Sequence, residues 1–385
     1  MTTDPSFPHR AGAEIDLGAL RHNVRTLRAR IAPHVRLMAV VKADGYGHGA
    51  VRCARAALVA GASWLGTATP HEALELRAAG ISDVPVLCWL WSPGDPWDRG
   101  IEAGLDMSVS DMWALDEVCA AARSTGKTAR IQLKADTGLG RNGCQPARWP
   151  RLVGEALKAQ GDGLVRITGL WSHLACADVP GHPSNTTQVD VFRSMVEQAE
   201  EAGVEPEVRH IANSSAALTL PEAHFDLVRT GIAMYGLSPS PGIGTSAQLG
   251  LRPVMSLKAS MALVKHVPGG HGVSYGQHHI TENQTVIGLI PLGYADGIPR
   301  HASGRGPVLV GDHIRQVAGQ IAMDQFMVDL GGDELEPGAR AVLFGRENRG
   351  EPTAQDWAEA ADTIVYEIVS RIGTRVPRVY ANDRP

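Results

Sequence analysis

A TIM-like (β/α)8 barrel followed by a C-terminal β-strand domain is the fold this sequence predicts, on three observations. Over the first 245 residues, short apolar runs rich in β-branched residues alternate with segments of helical spacing. Eight such units fit a barrel, which needs about 250 residues. From about residue 246, closely spaced runs follow one another without helices between them, heavily punctuated by Gly and Pro, as in a separate all-β domain. A doubly wound parallel sheet fits the same alternation and remains the alternative.

In chain order, the runs expected as strands are 36–41, 64–67, 86–90, 106–109, 129–133, 164–171, 208–212 and 227–230. Helical spacing is read at 50–60, 71–79, 111–124, 148–159 and 187–202, with shorter helices at 93–103 and 214–220 and a weaker one after the eighth run. A ninth strand segment, 14–17, precedes a helix at 18–32. The second half reads as strands at 256–266, 285–291, 307–310, 314–321, 326–330 and 341–344, with one helix at 353–363. PSPGIGTSAQLG, residues 239–250, is the expected linker. The domains are therefore a segment 1–12 associated with the β domain, a barrel at 13–245 and the β domain at 246–385.

Composition narrows the function classes. Lys and Arg total 36 against 41 Asp and Glu, a net charge of −5, and no basic stripe appears, which argues against nucleic acid as a partner. Nowhere do about 18 apolar residues run together, so no membrane span is expected. MTTDPSFPHR lacks the apolar core of a signal peptide, and the expected location is cytoplasmic. Cys53, Cys88, Cys119, Cys144 and Cys176 are scattered with no C-x-x-C, as idle thiols in a reducing compartment would be. No metal site is read.

The chemistry gathers just after the runs. Lys42 closes the first and is followed by ADGYGHG. A strand ending on lysine and entering a Gly-rich turn presents the amine at the carboxyl edge of the sheet, where α/β proteins hold ligands. Gly45, Gly47 and Gly49 do not make the G-x-G-x-x-G dinucleotide spacing. Such an amine can form a Schiff base with a carbonyl cofactor, or be an ordinary surface lysine. The fifth run leads into Lys134, Asp136 and Arg141, the sixth into His173, the seventh into Asn213 and Ser214, and the eighth delivers Arg229. Singly, His173 reads as a packed histidine, Asn213–Ser214 as a helix cap and Arg229 as half of an ion pair. Together, in a barrel, they converge on the face where barrel enzymes do chemistry. In the second half Tyr275, in GVSYGQ, and Tyr366, in DTIVYEIV, stand out as phenols, although a lone tyrosine is usually a packing residue.

These residues lie in motifs that resemble those of the bacterial alanine racemases, pyridoxal phosphate-dependent isomerases of fold type III. The matching stretches are AVVKADGYGHG, LKADTGLGRNG, HIANSSAAL, RTGIAMYG, GVSYGQ, PLGYADGIPR, GQIAMDQ and TIVYEIVSRIGTRVPR. They are colinear and cover nearly the whole chain. The resemblance implies a pyridoxal phosphate barrel, a β domain supplying the second base, and a homodimer with shared active sites that interconverts L- and D-alanine, providing D-alanine for peptidoglycan.

By that resemblance Lys42 carries pyridoxal 5′-phosphate covalently, and Tyr46, Ser214, Gly231, Ile232 and Tyr366 hold its phosphate, with Asn213 beside them. Arg229 faces the pyridine nitrogen. Arginine does not give up its proton at working pH, so the ring stays a weak electron sink and its chemistry narrows to proton exchange at Cα. Inverting that carbon calls for two opposed bases. Lys42 serves the face of the D-isomer and Tyr275, from the other subunit, the face of the L-isomer. His173 bonds both Tyr275 and Arg229. Arg141 reaches the cofactor's phenolic oxygen and the substrate carboxylate, and Met323 and Asp324 act from the partner. Lys134 matches a position often carboxylated on Nζ in the family, where a carbamate would reverse one of two facing cations and steer Arg141; the alternative is an ordinary exposed lysine.

One departure from the family pattern is Gln320, where an arginine is common. The position belongs with Tyr294 and Arg300 to the substrate access corridor, so affinity and selectivity there are open. Three other readings remain. One is a racemase of broader substrate range; another is a non-catalytic pyridoxal phosphate-binding homeostasis protein, against which Tyr275 and the long β domain argue. The third is an amino-acid decarboxylase, disfavoured by Arg229. Substrate breadth, rates and tolerance of cycloserine-type inhibitors are not legible.

Overall fold

The computed structural model describes residues 10–383 and divides into two compact units. A barrel unit comprises Arg21–Gly45 and Ala50–Leu251. A sheet unit takes the described residues of Met1–Leu20 and Arg252–Pro385, together with Tyr46–Gly49.

The first strand, β1 (Ala11–Asp16), leads into a helix at Leu17–Arg28. The barrel unit is then built on β2 (Arg36–Val40), β3 (Trp64–Thr67), β4 (Val86–Cys88), β5 (Asp106–Val109), β6 (Ala129–Lys134), β7 (Val165–Trp171), β8 (Val208–His210) and β9 (Leu227–Thr230). All pair in parallel, in the order β8-β7-β6-β5-β4-β3-β2-β9. The last strand thus returns beside the first. Backbone bonds from Asp226 N–H to Arg209 O and from Arg229 N–H to Ala212 O, 3.1 and 3.0 Å, bring it against β8 and close the ring. A doubly wound sheet would reverse its strand order at a switch point. None occurs, and the barrel reading stands.

Helices link the strands at Ala50–Val59, Pro70–Ala78, Trp97–Glu102, Met112–Thr125, Trp149–Gly161, Pro183–Glu201 and Ser214–Thr219. Their starts are set locally. Thr69 and Glu72 form a capping box before Pro70, and Asp111 caps the helix that Gly126 ends in a left-handed conformation. The 187–202 helix begins earlier than its spacing suggested, because Pro183 suits a first helical position and His182 caps it. After β9 the expected weak helix is a short 3-10 turn, Ile232–Tyr235. Met38, Trp64, Leu87, Trp171, Val208 and Leu227 pack as an apolar cluster across the strands.

The sheet unit is mainly one nine-stranded sheet. Its strands are β10 (Met255–Ser260), β11 (Leu263–Val267), β14 (Thr285–Ile290), β15 (Pro307–Val310), β16 (His313–Ala318), β17 (Phe326–Gly331), β18 (Arg340–Phe344) and β19 (Arg378–Ala381), with β12 (Gly272–Val273) and β13 (His279–Ile280) as a separate hairpin. β1 completes the sheet, antiparallel to β10 and parallel to β19. The strand expected at 14–17 is therefore β1, and its ladder partners lie far away in sequence. Residues 1–9 of the N-terminal segment lie outside the described residues. The run expected at 256–266 is two strands, β10 and β11. A helix at Val365–Ser370 and strand β19 carry no clear periodic signal and were not expected.

Candidate active site

Lys42 follows β2 directly, and the turn behind it is not a common one. Ala43, Asp44, Gly45, Tyr46 and Gly47 all have positive φ, between 50 and 79°, so the five residues after Lys42 form a left-handed helical turn. L-residues avoid this conformation at roughly 1–2 kcal/mol each, so outside support is required. In the barrel unit, Ala43 N–H donates to Glu72 Oε1 at 2.7 Å, Ala50 N–H to Asp44 Oδ1 at 2.8 Å and Gly45 N–H to the Val41 carbonyl at 2.8 Å. Tyr235 Oη donates to the Val40 carbonyl at 3.2 Å. Glu72 thus both caps its helix and pins the residue after Lys42. Burial lowers the Lys42 amine's pKa, and the charges of Arg141 and Arg229 add to that against the opposing pull of Glu72. The neutral amine, which is the nucleophile and the base, becomes easier to reach.

Arg229 comes from β9 and is buried. Its guanidinium donates to the carbonyls of Ser172 (2.9 Å) and Ile211 (3.0 Å), to His210 Nδ1 (2.8 Å) and to His173 Nδ1 (3.1 Å). Because arginine can only donate, both imidazoles accept at Nδ1 and carry their proton on Nε2. His210 Nε2 then donates to Gln132 Oε1 at 2.8 Å, which leaves His173 Nε2 as the outward donor. Burial, then Arg229, pushes both histidines well below the usual imidazole range, so they are neutral. Burial also pulls Arg229 down to about 9, still high enough to keep its charge near neutrality. Trp171 stacks on His210 with ring centroids 5.6 Å apart, and it lies 5.0 Å from the Arg229 guanidinium carbon and 4.2 Å from Lys134 Nζ. The indole face offsets part of the cost of burying these cations.

Lys134 ends β6 and is pushed down to about 7 by burial, then by Arg229 and Arg141. The turn towards Arg141 is shaped by Asp136, whose Oδ1 accepts from Gly138 and Gly140 N–H, each at 3.1 Å. Ser214 and the turn after β9 form a further group. Ser214 Oγ accepts from Gly231 N–H at 2.9 Å and Ala233 N–H at 3.4 Å, so its own proton is left to donate. Asn213 Oδ1 is spent on the N-cap, accepting from Ala216 N–H at 3.0 Å. Lys42, Lys134, Arg141 and Arg229 thus share one electrostatic neighbourhood in the barrel unit, and their charges together lower the proton affinity of His173.

The sheet unit holds the other sequence-expected residues. Tyr46 is buried 6.3 Å from Tyr366, centroid to centroid, and burial raises its phenol above the normal range. Gly47 lies against the helix containing Tyr366: a Cβ there would meet the Val369 carbonyl at 2.5 Å. Tyr275 is 72% exposed at the tip between β12 and β13, and Met323 is 52% exposed. Asp324 Oδ1 accepts from Arg375 at 2.7 Å. Tyr294 and Arg300 occupy two 3-10 turns, and the Gln320 carbonyl accepts from Ser274 Oγ.

Sequence reasoning missed Glu72, Gln132, Trp171 and His210. Glu72 carried a signal, since T-x-x-E is the capping-box pattern. The other three are barrel-interior residues within apolar runs, and only ring closure brings them beneath Arg229.

The model of the alanine racemase N-terminal domain matches residues 15–239 and that of the C-terminal domain matches residues 254–380. The alanine racemase of Streptomyces coelicolor is 70% identical over 378 residues, 97% of this chain and 96% of that protein. That of Frankia casuarinae is 54% identical, over 96% of each. The crystal structure of alanine racemase from D-cycloserine-producing Streptomyces lavendulae superposes with a TM-score of 0.96 at 69% identity, covering 97% of this chain and 98% of that one. The Bacillus anthracis alanine racemase with bound L-Ala-P has a TM-score of 0.89 at 34% identity, covering 98% and 97%. With both domains matched and identity running through the whole described fold, the chain belongs to the alanine racemase family.

Proposed function

We propose that this chain interconverts L- and D-alanine with pyridoxal 5′-phosphate, using Lys42 and Tyr275 as opposed bases, and so supplies D-alanine for peptidoglycan in the cytoplasm. The observation that carries the activity is 70% identity over nearly the full length of the Streptomyces coelicolor alanine racemase. Family membership makes the chain an isomerase. Among the described residues no helix is long and apolar enough to cross a membrane.

The residues present fit the cofactor. The charges of Arg141 and Arg229 depress the proton affinity of both Lys42 and Lys134, an accumulation of positive charge suited to an anionic ligand. Pyridoxal phosphate supplies a phosphate, a phenolic oxygen and an electron sink that acidifies the alanine Cα proton. On this reading Ser214, Tyr46, Tyr366, Gly231 and Ile232 hold the phosphate, with Asn213 setting the turn beneath them. Arg229 faces the ring nitrogen as a permanent donor, and the two neutral histidines behind it cannot compete for its charge. Arg141 takes the substrate carboxylate by its forked donors. Lys42, as a neutral amine, removes or returns the proton on one face of Cα. Tyr275 of the partner subunit does so on the other face, hydrogen-bonded by His173. Met323 and Asp324 of the partner subunit complete the carboxylate site, and Tyr294, Arg300 and Gln320 line the access corridor. Homodimerisation is thus part of the proposal, supported by the exposure of Tyr275 in the single chain.

A coupled assay of purified protein against L- and D-amino acids, with pyridoxal phosphate supplied, tests the activity. Racemisation confined to alanine is expected. Turnover of serine or lysine at comparable rates would make it a broad racemase, and cofactor binding without turnover would leave the homeostasis reading.

Carboxylation of Lys134 follows from the same cation cluster. Its amine, pushed down to about 7, is neutral in increasing proportion as pH rises through that value, and the neutral form adds CO2 with loss of a proton. The carbamate's negative charge would relieve the repulsion from Arg229 and Arg141. After equilibration with 13C-bicarbonate, one carbamate resonance should grow between about pH 6 and 8 and be absent from Lys134→Ala. A spectrum without that resonance would mean a bare lysine.

A further inference from the structure

The tip that presents Tyr275 is held in an unusual backbone. Ser274 has φ 63° and ψ −172°, a region that residues other than glycine rarely enter. Gly276 and Gln277 follow at φ 70 and 47°. A side chain in a glycine conformation persists only where its surroundings over-determine it, and here they do. Ser274 Oγ donates to the Gln320 carbonyl at 2.7 Å. Gly319 packs behind so closely that a Cβ there would lie 2.5 Å from the Val273 carbonyl and 3.1 Å from Ser274 Cβ. Val273 is anchored below with Val267, Ile287 and Ala318. On the other side Gln277 N–H donates to the Ser274 carbonyl at 3.2 Å, and the Gln277 side chain fills the space that a Cβ on Gly272 would need, 2.6 Å away. The residue before Tyr275 is clamped from both sides, while the phenol stands clear.

We propose that Ser274 is a positioning residue: its glycine-like backbone, locked by the hydroxyl bond to the Gln320 carbonyl, aims the Tyr275 phenol. The inference rests on the reading of Tyr275 as the base for the L-isomer. Without the lock, a tyrosine flanked by Ser274 and Gly276 has a hinge on either side, and a displacement of about an ångström costs a proton transfer up to roughly 100-fold. The acceptor is a main-chain carbonyl, so the lock does not depend on which side chain stands at position 320.

Holoenzyme carrying Ser274→Ala or Ser274→Gly tests this. Glycine accepts the backbone without strain, so that variant folds while lacking the hydroxyl; alanine lacks the hydroxyl and keeps the strain. In both, washout of α-deuterium from L-alanine should slow by about tenfold or more, while washout from D-alanine, which needs Lys42 alone, stays within about twofold. Amide hydrogen exchange across residues 273–278 should quicken without change elsewhere, with or without cofactor. Equal slowing for both isomers, or unchanged L-alanine washout in both variants, overturns the proposal. Tyr275→Phe separates the two layers. If it too leaves L-alanine washout intact, the base assignment and this inference fail together. If it slows washout and the Ser274 variants do not, only the positioning role fails.

Discussion

Lys42→Ala should abolish racemisation in both directions, by at least about 10⁴-fold, and leave desalted protein without bound pyridoxal phosphate absorbance. Two losses combine. The amine that attaches the cofactor is gone, and so is a proton carrier whose individual worth is typically about 10²–10⁴-fold. The fold should survive, because Lys42 sits among Arg141 and Arg229, whose charges disfavour its own. Removing a half-buried cation from that group relieves repulsion, so Tm measured without cofactor should not fall. The coupled assay and an absorbance spectrum after gel filtration read the two losses separately. Residual turnover above a few per cent with cofactor retained would mean that another residue both anchors it and moves the proton.

Tyr275→Phe should produce the second-largest effect, and an asymmetric one. The substitution keeps the ring and removes the one atom able to carry a proton, so the tip should stay folded. Loss of α-deuterium from L-alanine should slow by about 10²–10⁴-fold, while exchange from D-alanine proceeds through Lys42. Net racemisation falls in both directions, since a full inversion uses both faces. The asymmetry therefore appears in isotope washout of each isomer, measured before product accumulates. Equal slowing for the two isomers would sink the assignment of faces. Restoration of activity by mixing Tyr275→Phe with Lys42→Ala would test the shared site: subunit exchange yields heterodimers with one site free of either substitution.

The barrel was legible because each βα unit writes its own period, and the eight strand runs of the sequence are the eight strands observed, within a few residues at their ends. Chemistry at the strand ends was legible for the same reason. Lys42 and His173 each follow a run, and Arg229 lies within one, that announces itself locally. The left-handed turn after Lys42 was not legible, because Ala43, Asp44 and Tyr46 have no preference for positive φ; Glu72, 29 residues further on, helps to hold it. Nor was the place of β1, whose strand character is local but whose partners β10 and β19 lie more than 200 residues away.

By itself the sequence determined the order of elements, the two-part organisation and the types of residue delivered to the barrel's carboxyl ends, since these follow from short-range periodicity and from motifs a few residues long. Only the tertiary structure decided protonation and aim. The neutral tautomers of His173 and His210, the retained charge of Arg229 and the clamped backbone at Ser274 depend on burial and on hydrogen bonds between segments remote in the chain. Desolvation and hydrogen-bond geometry are properties of packed groups, and no stretch of sequence carries them until the chain has closed around it.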